Sequence, residues 1–311
     1  MVNLSRTTLR GLAGVAALAG LAVAALPNAQ AASTASGAVV PPTPVAGKTA
    51  EAVTTPPKAD GTVTALSSTT NIVRYNRLYS TPAITPSKCK EVNVSLRTTA
   101  GVVAYDTQLW NCLYAAWAVP LKAAGAAYKV KPKLVIHNYS KLNTNCGVIT
   151  GGNSYYCGYG NGFIYIPAYT IVNLWKQNPT YARAYATNTI AHEYGHHVQY
   201  LTGILNASWA RQRAFTTNAA RLEESRRREL QASCLGSAYI GANKRYYPMS
   251  GGLYTQWLYL VDHSGDQPGY PRDHGSPANH GFWSKAGFYA ASSKTYAGRC
   301  NTWNAASSAV A

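Results

Sequence analysis

The stretch TNTIAHEYGHHVQYLTGI, residues 187–204, contains the motif His-Glu-x-x-His at positions 192–196. The chain has only 7 His and 6 Glu among 311 residues, so random placement predicts roughly 0.003 such motifs. Residues four apart on a helix lie one above the other, which lets His192 and His196 direct two imidazoles at one metal ion. Glu193 then lies beside the ion, where its carboxylate can hold a water molecule. The motif therefore predicts a metal centre on a helix.

Local signals around the motif predict a helix over residues 179–202. Asn178-Pro179 is a start signal with proline in the first turn, apolar or aromatic residues recur through the segment, and Gly203 supplies a stop. The local sequence therefore agrees with the geometry that a metal centre needs.

Further elements follow from hydrophobic spacing and cap residues. Apolar spacing predicts a helix over 107–127 and strands over 132–139 and 163–166. A second long helix is expected from a cap at Asn206 to about residue 241, with i,i+4 pairs on solvated faces, Glu223 with Arg227 and Glu224 with Arg228. Another helix is expected to begin at Ser276-Pro277. We expect strand 163–166 to be a sheet edge to which an extended substrate adds.

The first 31 residues have the order of a secretory signal peptide. Arg6 and Arg10 precede an apolar run, and Ala29-Gln30-Ala31 forms a small-residue cleavage site. The run, residues 11–26, has 16 residues, fewer than the roughly 20 that span a bilayer; an uncleaved anchor is the alternative. Residues 32–70 are rich in Ala, Thr, Pro, Val and Ser and are expected to form a disordered linker or pro-segment. Residues 71–311 then form one catalytic domain of a secreted, extracellular protein.

Six cysteines follow the predicted signal, at positions 89, 112, 146, 157, 234 and 300. An exported chain meets an oxidising environment, so three disulfides are expected. Sequence separation favours Cys89 with Cys112 and Cys146 with Cys157, which leaves Cys234 for Cys300. A cysteine-ligated zinc site is the competing interpretation, but the chain has no Cys-x-x-Cys pair.

The formal charge of +17 includes two arginines of the predicted signal. A strongly basic surface attracts polyanions, and for an exported protein these would be anionic cell-wall polymers or acidic proteins. The charge also has a simpler interpretation, which is solubility. The basic residues are scattered and no nucleic-acid-binding module is present, so nucleic acid is not an expected partner. We expect a monomer without a stable membrane span after signal cleavage.

A catalytic zinc site of this kind has three protein ligands and one position for water. Metzincins place Gly and His three and six residues after the second motif histidine, but Gln199 and Thr202 stand there. The better third ligand is Glu229, on the next predicted helix, although it could instead be a solvated glutamate paired with an arginine. The reserve candidates are Asp262, His263, Asp266 and His274.

Several segments together resemble the neutral zinc metallopeptidase family, known largely from bacterial genomes. The resemblance implies a zincin-like α+β fold, mainly helical with a small sheet, and proteolytic activity with one Zn2+ ion. It carries His192, His196 and Glu229 over as metal ligands and Glu193 as the base. The matching segments, which span about 140 residues in the family's order, are Cys146-Gly147, YYC at 155–157 with the following FIYIP, HEYGHHVQ at 192–199, ELQASC at 229–234, and HGSP at 274–277 with FW downstream.

Two positions depart from the family pattern. Ser233 stands where the family has Asp, which would bond a ligand imidazole and fix its tautomer; its loss could weaken zinc or slow turnover roughly 10 to 100-fold. Ser233 could still accept that N–H, though without the charge. His280 stands where the family usually has Arg after the HGS segment.

The leading hypothesis is a secreted metallopeptidase, most simply an endopeptidase, in which Glu193 activates a zinc-bound water to cleave peptide or protein substrates. His274 is the predicted donor to the developing oxyanion, with Tyr254 and Tyr259 as alternatives. His197 is turned about 100° from the ligands and is assigned to packing or surface. Two other functions stay open: a catalytically weak or inactive zinc protein that binds cell wall, and a zinc amidase acting on peptidoglycan.

Overall fold

A helix that carries the His-Glu-x-x-His motif lies at the centre of the fold. The computed structural model describes residues 61–247, 249–291 and 296–311, and within these the fold is α+β, mainly helical with a small sheet. This confirms the predicted fold class. The helices are α1 (Gly61–Arg74), α2 (Thr99–Ala123), α3 (Ala168–Gln177), α4 (Pro179–Leu201), α5 (Ile204–Ala214), α6 (Asn218–Asn243), α7 (Gly251–His263), α8 (Pro277–Ala290) and α9 (Tyr296–Arg299). The strands are β1 (Lys133–His137), β2 (Lys141–Thr144), β3 (Gly147–Thr150), β4 (Tyr155–Cys157) and β5 (Phe163–Pro167).

The ends of the motif helix α4 follow its local sequence. The Asn178 side chain accepts a hydrogen bond from the Tyr181 N–H, and Pro179 occupies the first turn, where a missing N–H costs nothing. Gly203 adopts a left-handed conformation (φ 78°) just after the helix, which ends it as predicted. The helix predicted to begin at Ser276-Pro277 is also present, because Ser276 caps α8 through the Asn279 N–H.

Two glycines allow α4 and α6 to touch through their backbones. A Cβ atom on Gly195 would lie 2.5 Å from the Ala232 carbonyl oxygen. A Cβ atom on Gly236 would lie 2.7 Å from the Ala191 carbonyl oxygen. Neither approach leaves room for a side chain, so glycine at both positions sets the separation of the two helices.

The three-stranded sheet has the order β1-β5-β4. β5 pairs with β1 in parallel and with β4 antiparallel, while β2 and β3 form a separate hairpin. The prediction that residues 163–166 form a sheet edge is therefore wrong, because β4 and β1 occupy the two sides of β5. The edge next to the motif helix is β4.

The single long helix predicted from Asn206 to about residue 241 is two helices. α5 begins after Gly203, so Asn206 lies inside it and is not a cap. The chain leaves the helical conformation at Phe215, and Thr217 caps α6 by accepting from the Ala220 N–H.

The surface of α6 is also less solvated than predicted. Glu223 does pair with Arg227, at 2.7 Å. Glu224 instead pairs with Arg211, at 3.1 Å, and accepts from the Trp303 indole N–H. Arg228 and Glu224 are each only 2% exposed, because α5 and the C-terminal residues cover this face of α6.

The three predicted disulfides are present: Cys89–Cys112, Cys146–Cys157 and Cys234–Cys300. The second ties the β2–β3 hairpin to β4, and the third ties α6 to the C-terminal segment. The described residues include no free cysteine.

Helix α1 packs beside α5, although residues 61–70 fall within the predicted linker. Val73 is fully buried, and the Arg74 guanidinium donates to the Trp303 carbonyl oxygen at 3.1 Å. The predicted signal peptide and residues 32–60 lie outside the described residues, and the domain boundary at residue 71 stays a prediction. Among the helices of the described segments, none has the length and apolar character needed to cross a membrane.

Candidate metal centre

Three side chains from α4 and α6 converge on one point. His192 and His196 lie one turn apart on α4, and Glu229 faces them from α6. Its Oε2 atom lies 3.5 Å from His192 Nε2 and 3.0 Å from His196 Nε2. The three candidate ligand atoms all lie within 4.8 Å of one another. The structure thus brings together the three residues proposed as ligands.

This donor set fits a zinc ion. Tetrahedral zinc with bonds of about 2.0–2.1 Å to nitrogen and oxygen separates neighbouring ligand atoms by about 3.3–3.4 Å. The observed nitrogen–oxygen separations of 3.0 and 3.5 Å bracket that value. Two imidazoles and one carboxylate are also the ligand types that catalytic zinc sites use, with a fourth position left open.

The outer nitrogen of each imidazole has a buried hydrogen-bond partner. His192 Nδ1 lies 3.0 Å from Ser233 Oγ, and Ser233 Oγ lies 3.0 Å from His280 Nε2. His196 Nδ1 lies 2.9 Å from Gln199 Oε1. Ser233 is a partner that the family pattern predicts, whereas Gln199 is a partner that the sequence motifs do not predict, since its identity there only excludes a metzincin. Its position three residues after His196 on one helix face was the available signal.

Burial and charge shift the pKa values of the site. Burial raises the pKa of Glu193 to about 7, although neighbouring His196 opposes this shift. Burial alone would raise the pKa of Glu229, but the histidines around it, His196 foremost, hold it well below its usual range. Burial lowers the pKa of His192. Without a metal, the site therefore contains an ionised Glu229 beside a second carboxyl group that ionises only near neutral pH.

His274 reaches the same centre from the loop before α8. Its Nε2 atom lies 3.9 Å from Glu229 Oε2. Asp273 Oδ1 lies 2.6 Å from its Nδ1, and Asp266 Oδ1 accepts from its main-chain N–H at 2.8 Å. Desolvation would lower the pKa of His274, but the bond to Asp273 and the charge of Glu229 raise it to about 9. The side chain is 56% exposed, so it is accessible to a substrate and solvent screens part of these interactions.

The remaining candidates have contacts outside the centre. Tyr254 bonds the Tyr289 hydroxyl, and Tyr259 stacks on His263. Asp262 pairs with Lys285 at 2.6 Å. His197 is fully buried and bonds the Tyr156 hydroxyl at 2.9 Å, which agrees with a packing role.

Comparison with known families agrees with this geometry. The model of the family described as "Putative neutral zinc metallopeptidase" matches residues 80–247, more than half of the chain. The match includes the motif, Glu229 and Ser233, while the HGSP segment at 274–277 lies beyond it. Comparisons with curated proteins and with solved structures give no match. On the extent of the family match, the chain belongs to the neutral zinc metallopeptidase family.

Proposed function

We propose that this chain is a secreted zinc endopeptidase in which His192, His196 and Glu229 hold the ion and Glu193 is the general base. One observation carries the proposal: two imidazole nitrogens and a carboxylate oxygen lie within 4.8 Å of one another, and the nitrogen–oxygen separations of 3.0 and 3.5 Å bracket the value for tetrahedral zinc. Three disulfides support an exported protein, because such bonds persist in oxidising compartments.

His192, His196 and Glu229 would hold the zinc ion, which when bound would lower the pKa of a water molecule toward about 7 and polarise the scissile carbonyl. Glu193 accepts the proton of the attacking water and returns it to the leaving amine. In the metal-free site burial raises the pKa of this carboxyl group above its ordinary value, and a higher pKa makes the carboxylate a better proton acceptor. His274, held through Asp273 and Asp266, turns its Nε2–H toward the centre and donates to the developing oxyanion.

An extended substrate can add to the outer side of β4, which no other strand among the described residues covers. This strand is the edge of the sheet, and the Tyr156 ring stacks 6.3 Å from that of His196. Tyr155, the first residue of β4, is 38% exposed, and after burial the charges of Glu193 and Glu229 contribute to raising its pKa. An edge strand recognises the main chain of a peptide without requiring a terminus, which favours endopeptidase activity.

The decisive experiment compares wild type with Glu193→Gln. Both proteins should bind one zinc ion, while casein cleavage should fall by at least about 100-fold in the variant, as expected when a general base is lost. Glu223→Gln is the matched control, since Glu223 pairs with Arg227 away from the centre. A chelator should abolish wild-type activity and added zinc should restore it.

The same assay separates the alternatives. A wild-type protein that holds zinc but is as inert as Glu193→Gln toward casein and toward isolated cell wall would be a wall-binding protein without catalysis. Release of stem peptides from peptidoglycan without casein cleavage would indicate an amidase. Either result refutes the endopeptidase proposal.

A further inference from the structure

Three polar side chains from three helices form a buried line behind His192. Ser233 on α6 lies between His192 on α4 and His280 on α8, with its hydroxyl oxygen 3.0 Å from a ring nitrogen of each. The far ring nitrogen of His280, Nδ1, lies 3.2 Å from the main-chain carbonyl oxygen of Val261 in α7. Ser233 and His280 are 4% and 8% exposed, so water has little access to these groups.

The last partner in this line fixes the direction of every hydrogen bond before it. A main-chain carbonyl oxygen only accepts, so His280 Nδ1 must carry a proton and donate to Val261. Burial lowers the pKa of His280 to about 4, so its ring is neutral near pH 7 and its Nε2 accepts. The Ser233 hydroxyl has a single proton, and it donates that proton to His280 Nε2. Ser233 Oγ can therefore only accept from His192 Nδ1–H.

We propose that Ser233 and His280 are positioning residues that hold His192 in the Nδ1-protonated tautomer, so that its Nε2 lone pair is left free for the metal. The inference deepens the proposed function, on which it rests, by assigning a task to His280. The two positions that depart from the family pattern therefore act together: Ser233 accepts the hydrogen bond from His192, and His280 accepts the Ser233 proton. A neutral hydroxyl and a neutral imidazole perform the positioning that a charged carboxylate would otherwise provide.

The second motif histidine, His196, is held by an equivalent series of hydrogen bonds from different residues. Gln199 Nε2 donates to the Arg228 carbonyl oxygen at 2.8 Å, which orients its amide. Its Oε1 atom therefore faces His196 and accepts from Nδ1–H at 2.9 Å. Both imidazoles are thus anchored by relays that end on main-chain carbonyls, and both present Nε2 toward Glu229.

The first test measures zinc affinity by competition with a chromophoric chelator. Ser233→Ala should weaken zinc binding roughly 10 to 100-fold. Ser237→Ala is the matched control: it lies one turn further along α6, is 1% exposed, and its hydroxyl has no hydrogen-bond partner among the described residues. An affinity of Ser233→Ala within twofold of wild type would overturn the proposal.

Two variants of His280 test the direction of the relay without touching Ser233. His280→Gln keeps a polar atom where Nε2 accepts from Ser233, whereas His280→Asn keeps one only near Val261. We expect His280→Gln to bind zinc within a few-fold of wild type and His280→Asn to bind about as weakly as Ser233→Ala. Equal weakening by both amides would refute a directional relay. These variants also serve if Ser233→Ala does not fold.

A spectroscopic readout separates this inference from the proposed function. Two-dimensional 15N spectra of the metal-free protein at pH 8 distinguish a protonated from a bare ring nitrogen in each histidine. Wild type and Ser237→Ala should show His192 protonated at Nδ1, and Ser233→Ala should show proton occupancy shifted toward Nε2. A wild-type His192 protonated at Nε2 refutes the inference. Neither readout uses peptide cleavage, so an inactive protein would leave both interpretable.

Discussion

Replacing Gly195 with alanine should push apart the two helices that carry the metal ligands. The added methyl group would lie 2.5 Å from the Ala232 carbonyl oxygen and 3.0 Å from its Cα atom, whereas ordinary contacts begin at 3.4 Å. These are backbone atoms of α6 and cannot rotate away. We expect α4 and α6 to separate by about 1 Å to accommodate the methyl group.

The expected cost follows from two opposing effects. Overpacking of this kind costs about 1–3 kcal/mol, and the gain in helix propensity from glycine to alanine recovers up to about 1 kcal/mol. The net loss of unfolding free energy is then about 1–2 kcal/mol, which for a domain of this size corresponds to a fall in Tm of about 2–8 °C. Metal-ligand distances tolerate only about 0.2 Å, so zinc affinity should fall by more than about tenfold.

Thermal unfolding of the metal-free protein, followed by circular dichroism, measures the first effect, and chelator competition measures the second. Gly252→Ala is the control. Gly252 lies in the first turn of α7, and among the described residues the atom nearest to its added methyl group is Thr180 Cγ2 at 3.9 Å, so the Tm and zinc affinity of this variant should stay unchanged or rise slightly. A Gly195→Ala protein with wild-type Tm and zinc affinity would show that this contact does not set the helix separation.

Three further results are expected. Because burial raises the pKa of Glu193 from 4.5 to about 7, the folded metal-free protein binds an extra proton between these pH values, and the stability associated with that proton is lost as pH rises through about 7. Glu193→Gln should therefore leave Tm nearly unchanged at pH 5 but raise it at pH 8, where the gain in unfolding free energy is up to about 3 kcal/mol. Equal changes in Tm at both pH values would contradict this. Mild reductant should open Cys146–Cys157 first, since Cys146 is exposed whereas Cys112, Cys234 and Cys300 are buried. Alkylation followed by mass spectrometry should identify Cys146 and Cys157 as the first cysteines to react, and a parallel cleavage assay should show peptidase activity falling before the protein unfolds. His274→Ala should lower kcat about 100-fold with a smaller change in KM, and a change confined to KM would remove His274 from the oxyanion role.

Local signals predicted the part of the site that lies on one helix. The start and stop residues around α4 and the spacing of His192 and His196 depend only on neighbours in sequence. Glu229 required the further assumption that the next helix packs alongside, which the glycine contacts at 195 and 236 make possible. The sequence does not reveal those contacts, because a glycine inside a helix also fits a surface position.

The incorrect predictions concern partners distant in sequence. Strand β5 lies between β4 and β1, and β1 precedes it by about thirty residues, so the hydrophobic pattern of β5 could not show which of its sides is paired. The break between α5 and α6 at Phe215 contains neither Gly nor Pro. Likewise, the contact between Ser233 and His280 joins residues 47 apart, and only the packing of α8 on α6 brings them together.

Helix α1 limits where the chain can be cut during maturation or shortened for crystallisation. Thr70 accepts a hydrogen bond from Arg211, Val73 is fully buried, and the Asn301 side chain donates to the Arg74 carbonyl oxygen at 2.9 Å. A processing protease that cleaved after residue 70 would cut inside this helix, directly after the residue that accepts from Arg211 on α5. Truncation from the N-terminal side should therefore stop before Gly61 if the domain is to keep the contacts of α1.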